Sequence, residues 1–347
     1  MSGEPRHAVL RADGSAALGL GHVMRSLALG EALAARGWRV TLAGSAPLPT
    51  VIERAAACRV TVHQLAAVPC GAGDAVETVG LGPDVVIVDG YSFTREFFAE
   101  LERAEVGLVV IDDNAETNVR TASAVVNQNP HASVSMYRHV GVSQLLLGLD
   151  YALLRREIRT AGEVRRAPND GDPCVFLSMG GSDPAGLTEE LAVVLDGLGV
   201  PVRVAPGSAN PRAHELESAL RQLDHVTIVA SGSFAAELAT SDVAIIGAGS
   251  TMWEAAHLGV PAVAVVVADN QRAPSAVTEV LGFVQCVDAR GDVDAAYVAS
   301  IAVGLLGSLR RRAEMSERGQ RCVDGKGAER VALALEALVP AHGGVTC

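Results

Sequence analysis

Aromatic side chains make up only 3% of this 347-residue chain, so its interior must be built from aliphatic groups. Hydrophobic residues still reach 49%, enough for two buried cores of ordinary size. Basic tracts are also missing. The one short run, Arg310-Arg311-Arg312, reads as a solvated helix face, and the formal net charge is -12. That balance excludes a broad electrostatic grip on nucleic acid. An acidic chain can still hold an anionic ligand, through helix N-termini and backbone N–H groups. The six cysteines (Cys58, Cys70, Cys174, Cys286, Cys322 and Cys347) form no CxxC pair and lie near no histidine cluster. This excludes a zinc site or disulfide scaffold and fits a reducing compartment. No apolar run approaches the ~18 residues of a membrane span. The opening MSGEPRHAVLRADGS has no signal-peptide core. A cytoplasmic protein without a membrane span is expected.

What is present is an alternation of short apolar runs with helical patterns. Candidate strands in the first half are 7–11, 39–43, 59–64, 84–89, 107–112 and 124–127. Continuous runs such as VVIV and LVVI imply burial on both faces, hence a parallel sheet covered by helices and built from βαβ units. A polar stretch rich in Gly and Pro, AGEVRRAPNDGDP (161–173), reads as an interdomain linker. The pattern then restarts, with candidate strands at 174–178, 202–205, 226–230, 243–246, 262–267 and 284–287. From 302 to 338 the chain reads mostly as helix, interrupted at Asp324-Gly325-Lys326-Gly327. The expected organisation is an N-terminal Rossmann-like domain over 1–160, the linker, a C-terminal Rossmann-like domain over 174–339 and a frayed tail over 340–347.

Open parallel sheets bind ligands beyond the carboxyl ends of their strands, so the loops after each strand carry the chemistry. RADGSAALGLGHVMRSLALGEALAARG (11–37) runs from a strand through Gly19 and Gly21 into an amphipathic helix. His22 opens that helix. A helix N-terminus disfavours the imidazolium, which suits a neutral base; the alternative is a phosphate-cradling loop with His22 as a structural or capping residue. FLSMGGSDPAGLTEELAVVL (176–195) places Gly180, Gly181 and Ser182 after a strand. They suit a diphosphate, while Asp183 and Pro184 read as an ordinary helix start. IIGAGSTMWEAAHLGVPAVAVVVADNQ (245–271) feeds Gly249, Ser250 and Thr251 into a helix start suited to phosphate. Glu254 in its first turn is a candidate for ribose hydroxyls, or else complements the helix dipole. Asp269, Asn270 and Gln271 follow the next strand, where polar groups can read a sugar. Asp89-Gly90-Tyr91 and Asp112-Asp113-Asn114 follow VVIV and LVVI. Such carboxylates can orient a base, bind sugar hydroxyls or pair on a metal. Adjacent Asp112 and Asp113 project oppositely from an extended segment, which argues against a metal.

Taken in order, these loops resemble the UDP-sugar hydrolases of the pseudaminic-acid pathway and their relatives in spore-coat polysaccharide synthesis. The signature R-x-D-x-S, Gly-x-Gly-His, x-x-Arg falls on Arg11, Asp13, Ser15, Gly19, Gly21, His22 and Arg25. The likeness continues through VDGYSF, IDDNA, VVNQNP, GLDYALLRREI, SMGGSDP, GAGSTMWEAAHLGVP and SERGQRCVDGKGAERV, nearly the whole chain. The resemblance implies an α/β GT-B fold, with two Rossmann-like domains whose parallel sheets face across a cleft. It implies hydrolysis of a UDP-linked amino sugar, with water attacking the anomeric carbon and nucleotide diphosphate released, and with no metal or cofactor. His22 would be catalytic, with Asp13 and Tyr91. Arg11, Gly19, Gly21, Asn270 and Gln271 would lie on the sugar side, and phosphates near Gly180, Gly181, Ser182, Gly249, Ser250 and Thr251, with ribose near Glu254. An inverting glycosyltransferase acting on a soluble acceptor shares the fold and nearly all these loops. A silent nucleotide-sugar binder and a nucleotide-sugar epimerase are further alternatives.

Overall fold

The computed structural model describes residues 4–15, 18–164, 173–183, 185–207, 209–230, 232–291 and 293–339. Most of the expected linker, the expected tail and Pro184 lie outside the described residues. Contacts divide the chain into two compact units. The first comprises Met1–Leu18, His22–Arg155 and Lys326–Cys347; the second comprises Gly19–Gly21 and Arg156–Gly325.

The first unit carries seven strands: β1 (His7–Ala12), β2 (Arg39–Gly44), β3 (Thr61–Gln64), β4 (Val85–Asp89), β5 (Gly107–Ile111), β6 (Thr121–Asn127) and β7 (Gly141–Leu147). They pair in parallel in the order β3-β2-β1-β4-β5-β6-β7. Every residue of β1 and β4 is buried, as the unbroken apolar runs require of a sheet covered on both faces. Its helices are α1 (Gly21–Ala35), α2 (Pro49–Ala57), α3 (Ala72–Gly80) and α4 (Arg95–Arg103). In α4, REFFAELER, the Thr94 hydroxyl accepts from the Phe97 N–H and caps the start. Phe97, Phe98 and Leu101 recur at helical spacing and are buried with Phe93 against Val86, Val88 and Val110. Truncating Phe97 to Ala would cost about 3–5 kcal/mol.

The second unit carries α5 (Arg156–Val164), β8 (Val175–Ser178), α6 (Leu187–Gly197), β9 (Val202–Val204), α7 (Ala213–Leu220), β10 (Val226–Ile228) and α8 (Phe234–Ala239). It continues with β11 (Val243–Gly247), α9 (Thr251–Leu258), β12 (Ala262–Val266), α10 (Arg272–Leu281), β13 (Val284–Asp288), α11 (Ala295–Leu306) and α12 (Leu309–Cys322). Its six strands are parallel in the order β10-β9-β8-β11-β12-β13. The last helix, α13 (Gly327–Leu338), returns to the first unit. Gly327 sits so close to the Ala152 backbone that any Cβ there would overlap it. Farther along the helix, Glu336 accepts a bidentate pair of hydrogen bonds from Arg36 at 2.9 and 2.5 Å.

Both sheets have the doubly wound order that places β1 beside β4 and β8 beside β11. At those two neighbours the winding direction reverses. The carboxyl ends of such strands diverge into a crevice, and the loops there are where ligands bind in open α/β sheets.

Candidate active site

At the first switch point, α1 starts after β1 and Asp89 ends β4. His22, in the first turn of α1, points Nδ1 at Asp89 Oδ1, 2.7 Å away. One helical turn on, Arg25 donates to Asp89 through Nε and Nη2, both at 2.7 Å. The same guanidinium donates to Asp113, at the start of the loop after β5, through Nη1 at 2.8 Å and Nη2 at 2.9 Å. Ser26 Oγ adds a bond to Asp89 Oδ2 at 3.1 Å. Asp113 also accepts from Tyr91 Oη at 2.6 Å and Asn129 Nδ2 at 2.7 Å. The Tyr91 ring stands edge-on to the His22 ring, with centroids 4.7 Å apart.

Proton accounting fixes the histidine's tautomer. Arg25 Nη2 has two hydrogens, and both are spent on Asp89 Oδ1 and Asp113 Oδ2. Its 3.2 Å approach to His22 Nδ1 is therefore a close packing of two N–H groups. The Nδ1 proton is the one shared with Asp89, and a neutral ring keeps its lone pair on Nε2. Among the described residues, none hydrogen-bonds Nε2. Burial opposes ionisation of Asp89 and Asp113, but the Arg25 charge outweighs it and holds both carboxyls below the usual range. The two carboxylates hold Arg25 firmly protonated against its own burial. A carboxylate that orients and polarises a histidine whose far nitrogen is available is the arrangement of a general base.

The other residues expected here are placed differently. Arg11, expected on the sugar side, is fully buried. Its guanidinium makes a bidentate pair with Asp74 (2.8, 3.0 and 2.5 Å), bridges to Asp13 at 2.8 Å and lies over the Phe93 ring. It holds the loop and cannot reach a ligand. Asp13, expected to be catalytic, accepts from the Ser45 N–H and hydroxyl at 2.7 and 2.9 Å and from Arg11. It ties the end of β1 to the end of β2 and is not bonded to His22. Of the catalytic set, the structure brings only His22 and Tyr91 into contact. Asp112 and Asp113 diverge as expected: Asp112 accepts from the N–H groups of Asn114 and Ala115, each at 3.0 Å, and Asp113 faces Arg25. Among the described residues no group of three or more His, Cys, Asp or Glu is placed to hold a metal.

At the second switch point, the loop after β8 carries Gly180, Gly181 and Ser182. Asp183 accepts from the N–H groups of Leu187 and Thr188, both at 3.1 Å, and so caps α6. Gly207 has φ +85°, and a Cβ on it would strike the Gly180 and Gly181 carbonyls. Only glycine lets these backbones approach so closely. Gly19–Gly21 belongs to this unit, with Gly19 at φ +74° and Leu20 against Gly181. After β11, Gly249 is exposed, and Ser250 and Thr251 begin α9. The Ser250 side chain makes no capping bond. The Met252 and Trp253 N–H groups donate to the Gly249 and Ser250 carbonyls, each at 3.0 Å, so what this end offers an anion is chiefly the positive pole of the α9 dipole. Glu254 is buried in the first turn of α9. Asn270 and Gln271 occupy a single turn after β12, where Gln271 Oε1 accepts from the Val267 and Ala268 N–H groups at 2.8 and 3.3 Å. That oxygen closes its own turn, which leaves only the amide nitrogen for a sugar.

The partners that make His22 useful are not legible as such in the sequence. In the sequence Arg25 stands out only as part of a signature, and Asp89 and Asp113 only as carboxylates following strands. Asn129 stands out only as part of the VVNQNP segment of the resemblance. They lie 64 to 104 positions beyond Arg25 in the chain, and only the β1–β4–β5–β6 adjacency unites them.

No family model matches the chain. An uncharacterised protein of Methanocaldococcus jannaschii is 25% identical over 275 residues, a match that takes 75% of this chain and 55% of that protein. The chain thus spans about half the length of the curated relative it matches. Among solved structures, the glycosyltransferase SnogD from Streptomyces nogalater superposes with a TM-score of 0.64 at 16% identity, over 97% of this chain and 100% of that one. A putative UDP-N-acetylglucosamine 2-epimerase from Listeria monocytogenes gives 0.65 at 12% identity, over 96% of each chain. At these identities the likeness speaks for fold alone. With one doubly wound unit of seven parallel strands and another of six, and neighbours that match it almost end to end, the chain has the GT-B fold of glycosyltransferase-like enzymes.

Proposed function

We propose that the protein is an enzyme acting on a nucleotide-activated sugar, with His22 as general base. The observation that carries this reading is the 2.7 Å bond from His22 Nδ1 to Asp89, which leaves Nε2 free to accept a proton at a sheet switch point. In the proposed reaction a hydroxyl gives its proton to Nε2 as its oxygen bonds to the anomeric carbon. The bond from that carbon to the phosphate oxygen breaks, and the electron pair leaves with the nucleotide diphosphate. A single displacement inverts the anomeric centre. The glycine loop at Gly180-Gly181 and the start of α9 at Ser250-Thr251 suit the diphosphate, because small residues let its oxygens approach and the positive pole of a helix dipole favours the charge that grows there.

Transfer to an acceptor hydroxyl is the reading better supported by the structural neighbours, one of which is described as a glycosyltransferase. Hydrolysis is the second reading. It is supported by the ordered signature from Arg11 to Arg25 and would make a UDP-linked amino sugar of the pseudaminic-acid type the substrate. The two differ in which hydroxyl stands at Nε2. Incubating the protein with a panel of UDP-, CMP- and TDP-linked amino sugars, alone and with candidate acceptor sugars, separates them. Nucleotide release that requires an acceptor supports transfer; release in water alone supports hydrolysis. Release unaffected by His22→Ala would remove His22 as the base.

A further inference from the structure

Arg25 does more than brace the site. A histidine 2.7 Å from a carboxylate is pulled towards the imidazolium, which cannot accept a proton. The groups facing His22 are Asp89 from β4, Tyr91 from the loop after it, Asp113 from the loop after β5, and Arg25 on its own helix. Arg25 is itself faced by Asp89, Asp113 and, more remotely, Asp112; His131 lies against the Asp113 backbone. Two of these carboxylates would otherwise act on the ring with no positive charge between them. Arg25 fills that place, bidentate to each, with Nη2 only 3.2 Å from the ring nitrogen.

We propose that Arg25 is a positioning residue for the base: clamped between Asp89 and Asp113, it fixes the carboxylate that orients His22 and sets a positive charge beside the ring that opposes a second one on it. The inference rests on the reading of His22 as base. The geometry gives it two parts. The bidentate bond fixes the Asp89 plane, so that Oδ1 remains aimed at Nδ1. The guanidinium charge beside Nδ1 opposes a second positive charge on the ring. Asp113 acts through Arg25 by holding it in place, while its own negative charge has the reverse effect on the ring.

These parts predict shifts of opposite sign. The test is an NMR titration of the His22 ring in the full chain, without substrate, for the native protein, Arg25→Met, Arg25→Lys and Asp113→Asn. Arg25→Met should raise the midpoint by about one pH unit or more. Asp113→Asn should lower it, and Arg25→Lys should keep it near the native value while loosening the Nδ1–Asp89 bond, read as faster exchange of the Nδ1 proton. The acid limb of kcat/KM should move with each midpoint. An unchanged or lowered midpoint in folded Arg25→Met would overturn the proposal. If Arg25→Met does not fold, Arg25→Gln decides: a raised midpoint supports the proposal, and an unchanged or lowered one overturns it. Because the titration needs no substrate, a chain that shifts as predicted but never turns over a nucleotide sugar would count against the proposed function and not against this role of Arg25.

Discussion

At the scale of single residues, His22 is useful because of what stands behind it. Asp89 selects the tautomer and carries the orienting charge. Asp89→Asn keeps the shape but allows the amide to donate to Nδ1, which would turn the lone pair away from Nε2. The expected outcome is a fall in kcat of about 10²–10⁴ with KM little changed, read from steady-state kinetics. Arg11 is the contrasting case. It is as buried as any charge in the chain, and its partners Asp74 and Asp13 are structural. Arg11→Met leaves two carboxylates without their counter-ion and should cost about 3–5 kcal/mol in denaturant melts, while leaving the His22 titration where it was. The sequence made both residues visible and could not tell them apart. The Gly-x-Gly-His context drew attention to His22, and the R-x-D-x-S pattern drew the same attention to Arg11. What separates them is burial and the partner Asp74, 63 positions away.

At the scale of elements, the continuous apolar strands were the most legible part. VVIV and LVVI became the buried β4 and β5. β7 was not anticipated, because GVSQLLL is a half-exposed strand at the sheet edge that mixes polar with apolar side chains. The run 59–64 was expected to be one strand, but β3 begins at Thr61, since Arg59 turns with φ +60°. The loops joining β4, β5 and β6 to their neighbours carry charges whose protonation is tied to folding. Asp89 and Asp113 have folded pKa values below their unfolded ones, so the stability they contribute is complete above the unfolded value. It is lost as pH falls through the folded values, which makes the first unit acid-labile from about pH 4 downward. Urea unfolding followed against pH should show that decline, with a shallower one in Asp113→Asn. In the second unit, the start of α9 turns the positive pole of its dipole and the hydroxyl-bearing Ser250 and Thr251 towards any anion bound there. Ser250→Ala with Thr251→Val should weaken nucleotide binding by about tenfold, measured calorimetrically, without moving the His22 titration.

At the scale of the whole molecule, two doubly wound sheets from one chain repeat the same solution: a switch point with small residues and helix starts beyond the strand ends. The first adds a histidine with a carboxylate and a buried arginine; the second adds glycine-lined N-termini. The α13 helix, the last described element in the chain, belongs with the first unit, where Gly327 and Glu336 bind it to Ala152 and Arg36. Ending the chain after Gly325 should therefore raise amide exchange across the first sheet and leave the second largely protected. The sequence suggested a helix over these residues but gave no means of assigning it, because docking is set by surface shape and not by periodicity.

In the proposed reaction everything turns on His22 as the group that activates a hydroxyl against a nucleotide sugar. The most direct measurement is nucleotide release under single-turnover conditions, with the donor panel and with or without acceptor sugars, in the native chain and in His22→Ala. The prediction is release with inversion at the anomeric carbon, slowed about 10²–10⁴-fold in the variant while donor binding persists. Release at the native rate from His22→Ala would contradict it.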